Sequence, residues 1–238
     1  QEPNGLLAMG GDLSPQRLLH AYSRGIFPWF SNNEPILWWA PDPRAILIPS
    51  ELKISKSFSK TLRKRGYRLS LNTEFLSVMR ACAAPRPSQE ETWILPSMIS
   101  AYCALNRLGY AHSLEVWRDN TLVGGLYGVS LGKAFFGESM FSIETDASKT
   151  ALAALAYLGR MGYFEFIDCQ VESSHLTSLG ARLLSREAFE HKLKNAISED
   201  MEQIQHIIKG NKPATIRRAP WLGALPESTN QLLWETSA

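Results

Sequence analysis

The chain has 238 residues, 45% hydrophobic and 20% charged, with a formal net charge of +2. That composition belongs to a soluble globular protein with a real core, and it supplies no global charge for nucleic acid, so any such affinity must come from local clustering. No apolar run approaches the ~20 residues needed to cross a bilayer, and the three sparse cysteines, Cys82, Cys103 and Cys169, lack metal-type spacing and read as reduced thiols of a cytoplasmic protein.

No signal peptide is visible, and because the sequence begins at Gln1 and not Met, some native N-terminal residues are expected to be missing. Residues 1–43 are dense in Gly, Pro and Trp. Ser14-Pro15 predicts a helix start, with Ser14 as cap, Pro15 in the first turn and Gly25 past the end. This stretch reads as a small N-terminal domain beside a larger one over 44–238. "AILIPSELKIS" opens the larger domain with a short strand, and a basic helix follows at about 55–66. Thr73 would cap a helix in "TEFLSVMRAC"; "PRPSQEETWI" is a loop; Pro96 and Gly109 bound another helix. "HSLEVWRD" and "TLVGGLYGVS" alternate around Asp119-Asn120, and "LGK" turns into "AFFGESMFS", a β-meander. Asp146 or Thr145 caps a helix ending at Gly162, which leads to a strand at Phe164–Val171 and a short helix in "SHLTSLGA". The tail beyond about 194 is helical and then irregular. The order is compatible with an N-acyltransferase (GNAT-like) α/β fold, in which central strands splay to admit an acyl donor, though many mixed folds share it.

Four features bear on chemistry. Asp168 and Gln170 alternate onto one face of an apolar strand with Phe164 and Phe166. They are either a strand end emerging into solvent or a general base with a hydrogen-bonding partner. Glu138 shares its face with Phe136 and Met140, unless Gly137 marks a bulge, and such a carboxylate is buried only when paired, for example with a core Arg or Lys. Trp29, Trp38, Trp39 and Trp93 are core residues in part, but Trp29 and Trp93 adjoin loops, where indoles stack nucleobases. Finally, Lys53, Lys56, Lys60, Arg63, Lys64, Arg65 and Arg68 occur with no acid among them. Lys56, Lys60, Arg63 and Lys64 fall on one helix side, which is either a solvated face or a phosphate-binding one. His112 and His175 are further acid–base candidates, His112 at a strand start being the more structural.

Those residues lie in an ordered series of segments, "EPNGLLAMGGDLSPQRLLHAYSRGIFPWFS", "PILWWAPDPRA", "ETWI", "AHSLEVW", "LVGGLYGV", "GESMFS", "ASKTAL" and "IDCQV", running from Glu2 to about Phe189. Together they resemble the leucyl/phenylalanyl-tRNA–protein transferase family. The resemblance implies transfer of Leu or Phe from Leu-tRNA or Phe-tRNA to the N-terminal Arg or Lys of a protein, marking it for degradation. It implies a small N-terminal domain on a GNAT-like α/β (α+β) domain with a mixed, mainly antiparallel sheet, and neither metal nor coenzyme. It assigns Asp168 and Gln170 as the catalytic pair and Glu138 as an orienting carboxylate. It places the terminal adenosine at Trp29 and Trp93, and the donor side chain among Leu126, Phe135, Met140 and Leu152. It puts the tRNA body on the basic helix, at Lys56, Lys60, Arg63 and Lys64. Leu155 and Gly159 stand where bulkier aromatic pocket residues would be expected, and the tail from about Lys194 departs from the family's short ending. The protein is expected to be a cytoplasmic monomer with no membrane contact. The rival readings are an acyl-CoA-dependent N-acyltransferase and a non-catalytic tRNA-binding protein. The first is opposed by Glu144 and Asp146, and by the lack of glycine, in "FSIETDASKT", where a pyrophosphate would bind. Buried carboxylates are unnecessary for the second.

Overall fold

A computed structural model of the protein describes residues 3–85, 92–211, 217, 219–226 and 229–233. The chain opens with strand β1 (Leu6–Met9) and helix α1 (Pro15–Tyr22), where Ser14 Oγ accepts a hydrogen bond from the Arg17 N–H. Strands β2 (Phe27–Pro28) and β3 (Leu37–Trp39) follow, and the three form a sheet of order β1-β3-β2. Helix α1 turns Leu18, Leu19 and Tyr22 inward, all fully buried, into a core shared with the rest of the chain. Each such side chain contributes roughly 1.5–3 kcal/mol.

The larger part begins with β4 (Arg44–Leu47) and the basic helix α2 (Lys56–Lys64), capped by Ser55. Strand β5 (Arg68–Leu71), helices α3 (Phe75–Ala83) and α4 (Pro96–Arg107), and the meander β6 (Ala111–Arg118), β7 (Thr121–Leu131) and β8 (Ala134–Ser142) follow. Helix α5 (Ala147–Arg160) returns the chain to β9 (Phe166–Gln170). Helix α6 (Ser174–Ser178), strand β10 (Arg182–Leu184) and helices α7 (Arg186–Ala196) and α8 (Met201–Ile208) complete the order.

Seven strands align as β10-β4-β9-β8-β7-β6-β5. Every neighbouring pair is antiparallel except β8 and β9. That parallel pair is joined only at Ala134↔Phe166, Phe135↔Ile167 and Phe136↔Asp168, while β8 runs on to Ser142. The sheet therefore opens just past Asp168. Helices cover both faces: α1, α3, α4, α7 and α8 contribute to one buried cluster, and α2 and α5 to the other, with Trp221 and Leu232 of the tail.

Three local expectations change. The N-cap of α3 is Glu74, not Thr73, and neither side chain caps it; the buried Glu115 carboxylate of β6 accepts from the Thr73 and Glu74 N–H groups instead. Asp146 precedes α5 in a left-handed conformation (φ 63°), and its carboxylate turns away to Thr61 and Lys149. Strand β9 begins at Phe166, so Phe164 lies outside it and packs in the opposite cluster from Phe166. The "PRPSQEETWI" loop falls largely outside the described residues.

Gly159 packs away from the cavity described below, where α5 crosses the turn at Pro49: a Cβ there would lie 2.3 Å from Pro49 Cγ and 3.2 Å from the Phe164 carbonyl oxygen. A bulkier residue has no room. Gly159→Ala is expected to lower unfolding free energy by about 1–3 kcal/mol, read by urea denaturation; a loss within ~0.5 kcal/mol would show that the contact relaxes freely.

Candidate active site

Where β8 and β9 part, a cavity of about 140 Å³ opens. Leu126, Phe135, Met140, Leu152, Leu155 and Ile167 form its apolar wall, and Glu138, Asp168 and Gln170 its polar one. All four side-chain-pocket residues expected from the sequence thus line one space together with the three polar residues.

A bulge brings them there. Between β7 and β8 the register shifts, with Gly128 opposite Gly137 and Tyr127 opposite Ser139, so Glu138 is the extra residue. Before the bulge Phe136 packs in one cluster and Phe135 in the other; beyond it the alternation inverts, and Met140 joins the side of Phe135. Unbroken alternation would have put Glu138 and Met140 on one face, and the inverted phase at Gly137–Glu138 separates them.

Asp168 is not a strand end in solvent: it is wholly buried. Arg44 Nε donates to its Oδ1 at 2.8 Å and Arg44 Nη2 to its Oδ2 at 2.7 Å. The Gln170 N–H adds a third bond, to Oδ1, at 2.8 Å. The Arg44 guanidinium lies between the rings of Phe27 and Phe189, 4.7 and 4.8 Å from their centroids. Gln170 takes a left-handed backbone (φ 64°) and ends the strand. Its side-chain Nε2 then donates to Glu138 Oε1 at 2.8 Å.

Among the described residues Glu138 has no cationic partner of the kind the sequence invited. Tyr22 donates to its Oε1 at 2.7 Å and Tyr102 to its Oε2 at 2.9 Å, and the two hydroxyls also touch each other. Burial pushes the Glu138 carboxyl up to about 7, against the opposing pull of these hydroxyl donors.

Elsewhere the expected residues divide. Trp29 and Trp93 line a second cavity of about 650 Å³ with Trp39 and Thr92. Trp29 is 47% exposed, whereas Trp38 is buried and bonds the Gly10 carbonyl. Lys56, Lys60, Arg63 and Lys64 are exposed on α2 and form no ion pair among the described residues; Arg65 does, with Glu144. His112 is structural: buried between Asn72 and the Gly109 carbonyl, its imidazole is pushed down to about 3 by desolvation and stays neutral. His175 is exposed on α6 and does not line the cavity. Sequence reasoning missed Arg44, Tyr22 and Tyr102. Arg44 offered one signal, a cation between Pro43 and the apolar run Ala45–Pro49. Tyr22 and Tyr102 sit on helix faces among core residues and offered none.

Residues 46–194 match the family described as leucyl/phenylalanyl-tRNA protein transferase, and residues 11–42 match its N-terminal domain. A leucyl/phenylalanyl-tRNA–protein transferase from Nitrosospira multiformis is 58% identical over 198 residues, covering 83% of this chain and 85% of that one. One from Idiomarina loihiensis is 56% identical over 200 residues, covering 84% and 85%. Among solved structures, a GCN5-related N-acetyltransferase from Kribbella flavida aligns at 11% identity with a TM-score of 0.35, over 68% of this chain and 57% of that one.

The Glu138 environment sets a pH dependence. The native state holds its proton up to about pH 7, whereas an ordinary carboxyl releases it near 4.5. Across that window the unfolded chain binds fewer protons, so this group's contribution falls as pH rises. Wild type should therefore lose stability relative to Glu138→Gln by up to about 1.4 kcal/mol per pH unit between about pH 5 and 7. Urea denaturation of both proteins across that range checks it. A pH-independent gap would mean that Glu138 is already ionised when folded.

Proposed function

The chain belongs to the leucyl/phenylalanyl-tRNA–protein transferase family and is an aminoacyltransferase, and on that premise we propose that it transfers Leu or Phe from charged tRNA to the N-terminal Arg or Lys of a protein. The product would carry an N-terminal residue read as a degradation signal. The observation that carries this reading is the meeting of an apolar cavity of side-chain size with the Glu138–Gln170–Asp168 chain of hydrogen bonds at its polar wall.

The aminoacyl ester is already activated, so the enzyme must hold an amine against its carbonyl and manage one proton; no coenzyme is called for. An N-terminal amine titrates near 7.7–8.0, which leaves a usable neutral fraction. Leu126, Phe135, Met140 and Leu152 would receive the donor side chain, and Trp29 and Trp93 the terminal adenosine. Gln170 is the residue that meets the amine. With Nε2 committed to Glu138, its Oε1, which accepts no hydrogen bond among the described residues, would take an amine N–H and aim the lone pair at the ester.

Asp168 suits anchoring better than proton abstraction. Both its oxygens are occupied by Arg44, and Oδ1 also holds the Gln170 backbone in its left-handed turn. Glu138 sets which way the Gln170 amide points. Because Arg44 balances Asp168, the unbalanced charge near the amine is that of Glu138, and a cationic N-terminus would favour its ionised form. That coupling supports basic acceptors. None of Cys82, Cys103 and Cys169 forms a disulfide among the described residues, which fits a reducing, cytoplasmic setting, and no described helix is long and apolar enough to cross a membrane. The enzyme would act as a monomer.

Transfer of labelled Leu from Leu-tRNA to peptides with N-terminal Arg, Lys, Gly or Glu tests the reading: Arg and Lys peptides should be labelled and the others not. Gln170→Ala should lower kcat roughly 100-fold with KM for charged tRNA nearly unchanged. An equal rise in KM would make Gln170 a binding group.

Lys60, Arg63 and Lys64 would touch phosphates of the tRNA body, which position without reading sequence. Replacing all three by Glu should raise KM for Leu- and Phe-accepting tRNAs alike, leave transfer from aminoacyl-adenosine unchanged, and flatten the salt dependence of binding by somewhat under one log unit per lost contact, about 0.7–0.9. An unchanged salt slope would reduce this helix to a solvated face.

A further inference from the structure

The family match ends at residue 194, yet the chain beyond it enters the core of the catalytic domain. Three contacts seat this tail. Arg217 pairs with Asp200 at 2.7 Å and donates to the Gly109 carbonyl at 3.1 Å. Thr229 Oγ1 donates to the Leu62 carbonyl of α2 at 2.6 Å, and Leu232 is fully buried. The path is built into the sequence elsewhere: a Cβ at Gly109 would lie 1.8 Å from the Arg217 carbonyl oxygen, so only glycine there lets the tail pass.

Between these anchors sits Trp221, 1% exposed. Its indole meets His112, Phe164 and Phe135 edge-on, at centroid distances of 4.6, 5.2 and 6.5 Å. Phe135 is also a wall of the cavity at the opening of the sheet. Its ring is confined on its other sides, by Phe164 at 5.4 Å and by Gly128, where a Cβ would lie 2.5 Å from Phe135 Cε1. Phe135 thus meets both the cavity and the Trp221 indole. His112, hydrogen-bonded at both nitrogens, holds the indole in place.

We infer that Trp221, in the tail outside the family-matched residues, is a positioning residue that sets the depth of the aminoacyl side-chain pocket by propping Phe135 from behind. The inference rests on the reading of that cavity as the donor side-chain pocket. Removing bulk behind Phe135 lets the ring retreat, and a deeper pocket gains more for Phe than for Leu.

The test compares kcat/KM for leucyl- and phenylalanyl-adenosine with an Arg-initiated peptide. These donors lack a tRNA body and so isolate the pocket from α2. Trp221→Leu should raise the Phe/Leu ratio roughly tenfold, and Trp221→Phe, which keeps a smaller aromatic prop, should raise it by only about threefold. Should the Leu variant fail to fold, the Phe variant carries the test, with a rise of about threefold expected and an unchanged ratio overturning the inference. Leu152→Phe, which narrows the same cavity from α5, is measured alongside and should lower the ratio. If it does not, the donor-pocket reading fails. If it does while folded Trp221 variants keep the wild-type ratio, the pocket stands and the role of Trp221 is refuted.

Discussion

The arrangement depends on the buried pair of Arg44 and Asp168. It joins adjacent strands, β4 and β9, through two hydrogen bonds of 2.7–2.8 Å in a region with no solvent access. Two desolvated charges cost several kcal/mol each, and their attraction offsets this only when the geometry is good and the remaining lone pairs are satisfied. Both conditions hold: the fork is bidentate, and the Gln170 N–H takes a further position on Oδ1. The cation also ties distant parts of the chain together, because its guanidinium carbon lies over the rings of both Phe27 of the small sheet and Phe189 of α7. Removing either partner alone would leave an uncompensated buried charge, a loss of about 3–5 kcal/mol. The pair thus specifies how the N-terminal part, the central strands and α7 meet, and it does so beside Glu138 and Gln170.

From that pair, order passes outward in short steps. Asp168 holds the Gln170 backbone, Gln170 is turned out of the strand, and its amide is oriented by Glu138, which is held by tyrosines from α1 and α4. Each link is a hydrogen bond between buried or half-buried groups, where a missing partner costs about 1–3 kcal/mol. Pre-organisation of this kind would suit the proposed transfer, whose donor is already activated and whose barrier would fall mainly through placement. The apolar wall is built by a different device. One extra residue at Gly137–Glu138 inverts the strand alternation, so β8 delivers a carboxylate to one side and Met140 to the other within three residues.

Much of this was legible in the sequence. The helix cap at Ser14, glycine stops at Gly25, Gly109 and Gly162, and the alternation of the meander are local signals, and local geometry obeys them. Asp168 and Gln170 stood out because polar residues i and i+2 on an apolar strand demand an explanation, and Glu138 because a carboxylate among aromatics does. A bulge was foreseeable at Gly137; its effect on Met140 was not, since alternation alone gives no phase beyond an irregular residue.

What the sequence by itself determined is the set of elements, the family, and the polar residues that could not be core. Those follow from periodicity, capping chemistry and the cost of burying polar groups, all readable over a few residues. Tertiary structure alone decided the partners. Arg44 is 124 positions from Asp168, and Tyr22 is 116 from Glu138, so neither pairing leaves a local trace. The tail is the same case: Trp221 behind Phe135 is a contact between residues far apart in sequence, and only the packed core brings them together.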